Sequence, residues 1–419
     1  MCKTLLHLGS TYLITVSTGP TTITKDLIKL INYILEVYSM KFTIKRSAFL
    51  KSMSDVQRAI SSRTTIPILT GIKIVANEEG ITLTGSDSDI SIETFIPVSD
   101  ESNTLIIEKT GSIVLQARFF SEIVKKLPEE TMEIEVLDHF QTLITSATAS
   151  FTINGLDANN YPHLPVIDTN ESFHLPVGLF KQVIGQTVIA VSTHESRPIL
   201  TGINIVIENG QILAVATDSH RLSQRIIPLE MTEEQAGKKY NIIIPGKSLI
   251  ELSRTLDDNS ETIELIITEN QVLFKTDNMF FYSRLLEGYY PDTKRLIPET
   301  SVTEIEFNAN TLLGAIERAS LLSHEGKNNV VKISISPDLV EISGNSPDIG
   351  NVQEELDYIS VSGDPIELSF NPDYMKDALR TFGQATIKIK FTSPVRPFIL
   401  VPSENDQTFI QLITPVRTF

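Results

Sequence analysis

The hexapeptide Pro67-Ile-Leu-Thr-Gly-Ile72 returns as Pro198-Ile-Leu-Thr-Gly-Ile203, displaced by 131 residues. The same offset places Phe49 on Phe180, Ala59 on Ala190, Ser61 on Ser192, Ile74 on Ile205 and Asp87-Ser88 on Asp218-Ser219. Matches at one fixed offset on both sides of the hexapeptide mean a duplicated unit. The spacing is too long for a solenoid repeat and is the length of a whole domain. The chain therefore reads as similar domains in series.

Each copy divides into two like halves, a strand, a helix and then several strands. The first copy opens with Lys41-Phe-Thr-Ile-Lys45, and Phe49, Leu50, Met53, Val56 and Ile60 stand at helical spacing, predicting a helix over 48–60. Alternation predicts strands over 72–75, 81–84 and 90–96. The order recurs with a strand at 112–116, a helix over 119–127 ended by Pro128, and strands at 132–136, 142–146 and 150–153. The second copy has a strand at 173–175, a helix over 177–191 and strands to Ile227. A strand at 240–244, a helix over 247–256 and strands to Leu286 complete it. A fainter third copy lacks the hexapeptide but keeps the order. Strand 304–307 leads to helix 312–322 and strands 330–335 and 340–343; strand 366–370 leads to helix 374–382 and strands 386–391, 398–401 and 409–413. The expectation is an α+β chain of three tandem domains, at 40–168, 169–299 and 300–419.

Residues 1–39 lie outside the repeat. Gly9 and Ser10 interrupt the apolar stretch of the first 18 residues, making it a poor secretory signal, and apolar residues over 26–38 predict a short helix. Met40-Lys-Phe-Thr-Ile44 reads as a chain start, so Met40 is the expected natural initiator and 1–39 an upstream extension. No apolar run approaches 18 residues, which argues against a membrane span. The single cysteine, Cys2, excludes an internal disulfide framework and a cysteine-based zinc site, and fits a reducing compartment. A net charge of −17 repels nucleic acid overall without excluding a local basic surface, and Arg58–Arg63 and Arg221–Arg225 are such clusters.

No phosphate loop, metalloprotease, nucleophile-elbow or EF-hand motif occurs, and the seven histidines have no metal-ligand spacing, so no cofactor or metal is expected. Asp87-Ser-Asp89 reads as a turn between strands rather than a cation site. Asp218, Ser219 and His220 are the parts of a catalytic triad, but neighbours in an extended segment point to opposite faces. The rival readings are a hydrolase using Asp218 and His220 and a β-rich adhesion or carbohydrate-binding module. The second is weakened by the absence of tryptophan and an aromatic content of 7%. A non-enzymatic binding protein is the expectation.

Met40-Lys-Phe-Thr-Ile, Arg63 with Pro67-Ile-Leu-Thr-Gly, Ala216-Thr-Asp-Ser-His-Arg-Leu222, Tyr290-Pro-Asp292 with Leu296-Ile-Pro298, and Leu412-Ile-Thr-Pro-Val-Arg-Thr-Phe419 together resemble the bacterial DNA polymerase III β-subunit family. The resemblance runs from Met40 to Phe419. It implies a processivity factor: a head-to-tail homodimeric ring around duplex DNA, helices lining the hole and sheets outside. It places Phe151 and Ile153 opposite Leu321 and Leu322 across the subunit boundary. Arg63 matches a DNA-touching position, and Arg197, in the corresponding stretch just before the second hexapeptide, is expected from the duplication to act likewise.

The resemblance further implies a hydrophobic pocket between the second and third domains. Its wall would be Leu200, Thr217, His220, Arg221, Leu222, Pro298, Asn371, Tyr374, Ile413, Pro415, Val416 and Arg417. Short motifs of the replicative polymerase α subunit, the clamp loader, translesion polymerases, mismatch-repair proteins and DNA ligase would dock there. Ser219 stands where glycine is common in the family, and Thr414 where methionine or leucine is common. Sequence-independent binding of double-stranded DNA, no membrane partner, and a cytoplasmic, nucleoid-associated location complete the expectation.

Overall fold

The computed structural model describes residues 3–8 and 12–17 by backbone, and 40–417 except 62, 165, 166, 168–171, 234, 236, 324–328, 405 and 406. Lys3–Leu8 and Tyr12–Ser17 pair antiparallel; the helix expected over 26–38 lies outside the described residues. The chain forms two compact units, Met1–Gly85 with Glu93–His163, and Ser86–Ile92 with Leu164–Phe419. The first holds the first repeat apart from Ser86–Ile92, and the second holds that segment with the other two repeats.

The repeated halves exchange their leading strands. In the first repeat Lys41–Lys45 pairs with Thr131–Val136 of the second half, and Gly111–Gln116 pairs with Gly71–Ala76 of the first. In the second repeat Ser172–Pro176 pairs with Thr262–Ile267, and Tyr240–Pro245 with Gly202–Glu208. In the third, Thr303–Asn308 pairs with Thr386–Phe391, and Ile366–Phe370 with Val331–Ile335. Every pairing is antiparallel, so each half is completed by the other and neither closes its sheet alone.

The hexapeptide supports this exchange. Pro67–Thr70 and Pro198–Thr201 are single 3-10 turns, with proline at the first position where its missing N–H costs nothing. The hydroxyls of Thr70 and Thr201 donate back to the carbonyls of Pro67 and Pro198, at 2.8 and 2.7 Å. Leu69 and Leu200 are buried. A Cβ on Gly71 would stand 2.5 Å from Val114 Cγ1, and one on Gly202 2.6 Å from Ile243 Cγ2, so glycine lets the exchanged strand approach. The six residues repeat because both copies need the same turn and the same close contact.

Helices occupy Arg46–Gln57, Ala117–Lys126, Val177–Thr187, Gly246–Thr255, Ala309–Ser323 and Pro372–Phe382. The apolar face of each is buried: Phe49 and Phe120 meet edge to face at 5.8 Å in the first unit, and Phe180 lies 5.6 Å from Phe274 in the second. Each such aromatic contributes about 1.5–3 kcal/mol on burial. The second and third repeats share one nine-stranded sheet. Its order is Tyr240–Pro245, Gly202–Glu208, Gln211–Thr217, Arg221–Pro228, Phe409–Ile413, Phe398–Pro402, Thr386–Phe391, Thr303–Asn308, Ser360–Gly363. The seam between repeats is the pairing of Arg221–Pro228 with Phe409–Ile413, and it ends at the candidate site.

Candidate functional site

Asp218-Ser219-His220 joins two strands of the second repeat. Asp218 Oδ1 accepts the backbone N–H groups of His220 and Arg221 at 2.9 and 3.0 Å, closing an Asx turn. The Thr217 hydroxyl donates to the Arg221 carbonyl at 2.7 Å, and its oxygen accepts the Ser219 N–H at 3.2 Å. Ser219 is held at φ +80°, as Ser88 is at +82° in the first repeat. Behind the turn, the Thr217 N–H donates to the Tyr290 phenol at 3.0 Å, and burial pushes that phenol up to about 12.

The third repeat supplies the facing wall. Asn371 caps the Pro372–Phe382 helix by accepting the Asp373 N–H at 2.8 Å, with Pro372 at the first helical position. This sends Tyr374 from the first turn over the Arg221 guanidinium, 4.5 Å from the ring centroid, and the His220 ring stacks on Tyr374 at 6.4 Å. Asp377, one turn on, accepts Arg221 Nη1 at 2.7 Å, while Asp218 Oδ2 accepts Arg221 Nε at 3.0 Å. Burial, with the Asp218 charge behind it, raises the Tyr374 phenol above its ordinary value. Asp218 is therefore committed to two amides and a guanidinium, which is a structural role and not that of a triad acid.

The terminal strand makes the floor. Arg221 lies opposite Ile413, and Leu222 opposite Leu412. Beyond the strand, the Thr414 N–H donates to the His220 carbonyl at 2.9 Å and the Val416 N–H to the Ser369 carbonyl at 2.8 Å. Leu200, Leu222 and Ile413 are almost solvent-free, whereas Pro298, Asn371, Tyr374, Thr414, Pro415 and Val416 are half-buried and His220 and Arg417 exposed. The expected wall thus divides into a buried apolar base and a reachable rim, with Thr217, His220, Arg221, Leu222, Asn371, Tyr374, Ile413 and Val416 joined by the contacts above. Sequence reasoning missed Asp377 and left Asp218 and Tyr290, both within motifs it had singled out, off the pocket wall. Asp377 follows Tyr374 at the i,i+3 spacing that shares a helix face, a signal that could have found it.

Arg197 Nη1 donates to Ser219 Oγ at 3.2 Å, which sets this exposed cation beside the turn. Arg63, in the first unit, is exposed. Phe151 is 39% exposed in the first unit and Leu321 is 70% exposed in the second; Ile153 and Leu322 are half-buried. Among the described residues, no cluster of three His, Cys, Asp or Glu could hold a metal, and no helix is long and apolar enough to cross a membrane.

Three domain families match in series: DNA polymerase III beta subunit, N-terminal domain, over 40–165, central domain over 174–292, and C-terminal domain over 294–417. The beta sliding clamp of Bacillus subtilis is 54% identical over 382 residues, covering 91% of this chain and all of that one. The crystal structure of the Bacillus subtilis DNA polymerase sliding clamp superposes with a TM-score of 0.87 over the same share of each chain. That of the Streptococcus pneumoniae DNA polymerase III beta chain also gives 0.87, at 43% identity, covering 90% of this chain and all of that one.

Proposed function

The chain belongs to the DNA polymerase III beta-subunit family, the bacterial sliding clamps, and from that premise we infer that it is the non-catalytic processivity factor of a replicative DNA polymerase. Its partners are DNA and polymerase. Three domains, at 40–168, 169–299 and 300–419, would close head to tail with a second copy into a six-fold pseudo-symmetric ring. A head-to-tail contact makes a ring only when its rotation closes, and two chains of three like domains would close with each domain turning by about a sixth of the circle. Phe151 and Ile153 would face Leu321 and Leu322 of the second copy. A sliding ring needs phosphate contacts without base readout, so Arg63 and Arg197 would serve an otherwise acidic protein as local cations.

Docking is assigned to the junction of the second and third domains. The observation that carries it is the Arg221 guanidinium held between Asp218, Asp377 and the Tyr374 ring, beside a buried floor of Leu200, Leu222 and Ile413. An apolar base with a few fixed polar groups suits a short peptide anchored by apolar side chains. The polymerase α subunit, clamp loader, translesion polymerases, mismatch-repair proteins and ligase would compete for it.

The test is calorimetric titration of a Gln-Leu-Asp-Leu-Phe peptide into wild type and an Arg221→Ala/Val416→Ala variant, with sedimentation mass from the same samples. Saturable binding weakened by the substitutions, on a particle of twice the chain mass, is expected. A monomer that ignores the peptide would leave only the fold.

A further inference from the structure

The seam beneath the pocket is polar where the equivalent positions of the other repeats are apolar. Gln411 faces Leu400 across its hairpin, as Phe151 faces Ile144 and Phe281 faces Phe274 in the other two repeats. Ser223 faces Ala216, and the counterpart facing Gly344 in the third repeat is Val352. Three final strands of one design thus carry Phe, Phe and Gln at one position. Ser223 and Gln411 stand opposite each other in the seam and are both essentially solvent-free.

Both donate to one atom. The main-chain carbonyl of Gln186, in the last turn of the Val177–Thr187 helix, accepts the Ser223 hydroxyl at 2.6 Å and Gln411 Nε2 at 3.0 Å. Last-turn carbonyls have no partner within their own helix, and this one has both lone pairs filled from two different domains. Gln411 Nε2 also donates to Thr381 Oγ1 at 3.3 Å, whose hydroxyl donates to the Ala378 carbonyl at 2.6 Å in the Pro372–Phe382 helix. One buried amide therefore ties a helix end of the second domain to the pocket helix of the third.

The strand itself explains the need. Phe409-Ile-Gln-Leu-Ile413 is buried at every position, so apolar alternation does not select its register. A slip of two residues, about 7 Å along the strand, would keep apolar side chains buried while moving Gln411 opposite Arg221 or Arg225. In the observed register Gln411 reaches the Gln186 carbonyl, and fixing a register is the best-attested use of a buried polar group. The same register sets Ile413 against Arg221 and leads Thr414 and Val416 to the His220 and Ser369 carbonyls.

Resting on the peptide-docking reading, we propose that Gln411, with Ser223, is a positioning residue of the pocket: a buried register pin that holds its two domains in the binding geometry without touching the peptide. The test titrates the Gln-Leu-Asp-Leu-Phe peptide into wild type, Gln411→Leu and Ser223→Ala full-length protein, with amide hydrogen exchange read at Thr414 and Val416. Leucine fills the glutamine volume and leaves Gln186 with the Ser223 donor, so the variant folds. The expected result is a Kd raised about tenfold or more in Gln411→Leu, a stoichiometry of one per chain, and faster exchange at Thr414 and Val416. Ser223→Ala gives a smaller shift in the same direction. An unchanged Kd overturns the proposal, as does reduced stoichiometry at unchanged Kd, the mark of mere unfolding. If wild type itself ignores the peptide, the docking reading fails first and the proposal with it.

Discussion

The Arg221 guanidinium lies 4.5 Å from the Tyr374 ring centroid and is gripped at its two ends by Asp218 and Asp377. A planar fork that stacks on one face while donating at its edges is a task lysine cannot copy. Arg221→Ala should cost about 1–3 kcal/mol of stability through lost charge-assisted bonds and weaken peptide binding about tenfold or more. Arg221→Lys should keep most of the stability but little of the affinity. Denaturant midpoints and calorimetry on the same samples check both, and equal affinity in lysine and wild type would refute the geometric role.

Ser219 sits at φ +80° in a turn where its N–H donates to the Thr217 hydroxyl. L-residues pay for that backbone region and glycine does not. Ser219→Gly should therefore raise stability by about 1 kcal/mol, and Ser88→Gly, at φ +82°, should do the same. Ser219→Gly also deprives Arg197 of the Ser219 Oγ acceptor. Its effect on peptide affinity, compared with Ser88→Gly, reports whether Arg197 needs that anchor.

The repeats were legible because identical local tasks keep identical residues: the 3-10 turn and the close approach at Gly71 and Gly202 allow few substitutes. Helix cores were legible from apolar spacing, but Ala309–Ser323 begins three residues before the expected 312 because its first turn carries polar Asn310 and Thr311. The helix expected over 177–191 ends at Thr187 and finishes as a 3-10 turn, Val188–Ala190, since apolar spacing does not distinguish the two. Gly350–Glu355 was missed because this edge strand has no buried residue to alternate. The strand exchange between halves was not legible at all. It pairs Lys41–Lys45 with a strand some ninety positions away, and nothing local records that. In the pocket, the apolar base was readable but the Asp218–Arg221–Asp377 clamp needed two domains brought together.

Leu321 ends the Ala309–Ser323 helix with 70% of its surface in water, which is unusual for a leucine beside buried Ser320 and Ser323. If a second copy covers it, Leu321→Ala removes about 1–2 kcal/mol per boundary, and a two-boundary ring counts the loss twice. The ring's dissociation constant should then rise roughly 30-fold or more, with the monomer's own unfolding midpoint nearly unchanged. Sedimentation equilibrium across a dilution series measures it, and an unaltered constant would remove Leu321 from the boundary.

Tyr290 links the pocket turn to alkaline stability. Its phenol accepts the Thr217 N–H at 3.0 Å and is pushed by burial from 10.0 up to about 12. Below pH 10 the phenol is protonated in both folded and unfolded chains, so it adds no pH dependence there. Between pH 10 and about 12 the unfolded chain releases the proton first, and stability falls by up to about 3 kcal/mol. Tyr290→Phe removes that fall but leaves the Thr217 N–H without its acceptor, costing about 1–3 kcal/mol at neutral pH. The variant should therefore be the weaker protein at pH 8 and lose its disadvantage as pH approaches 12. Urea midpoints at intervals across that range, with tyrosinate absorbance followed in parallel, would reveal the convergence. Parallel curves would mean that Tyr290 ionises normally, and equal midpoints at pH 8 that it does not brace the turn.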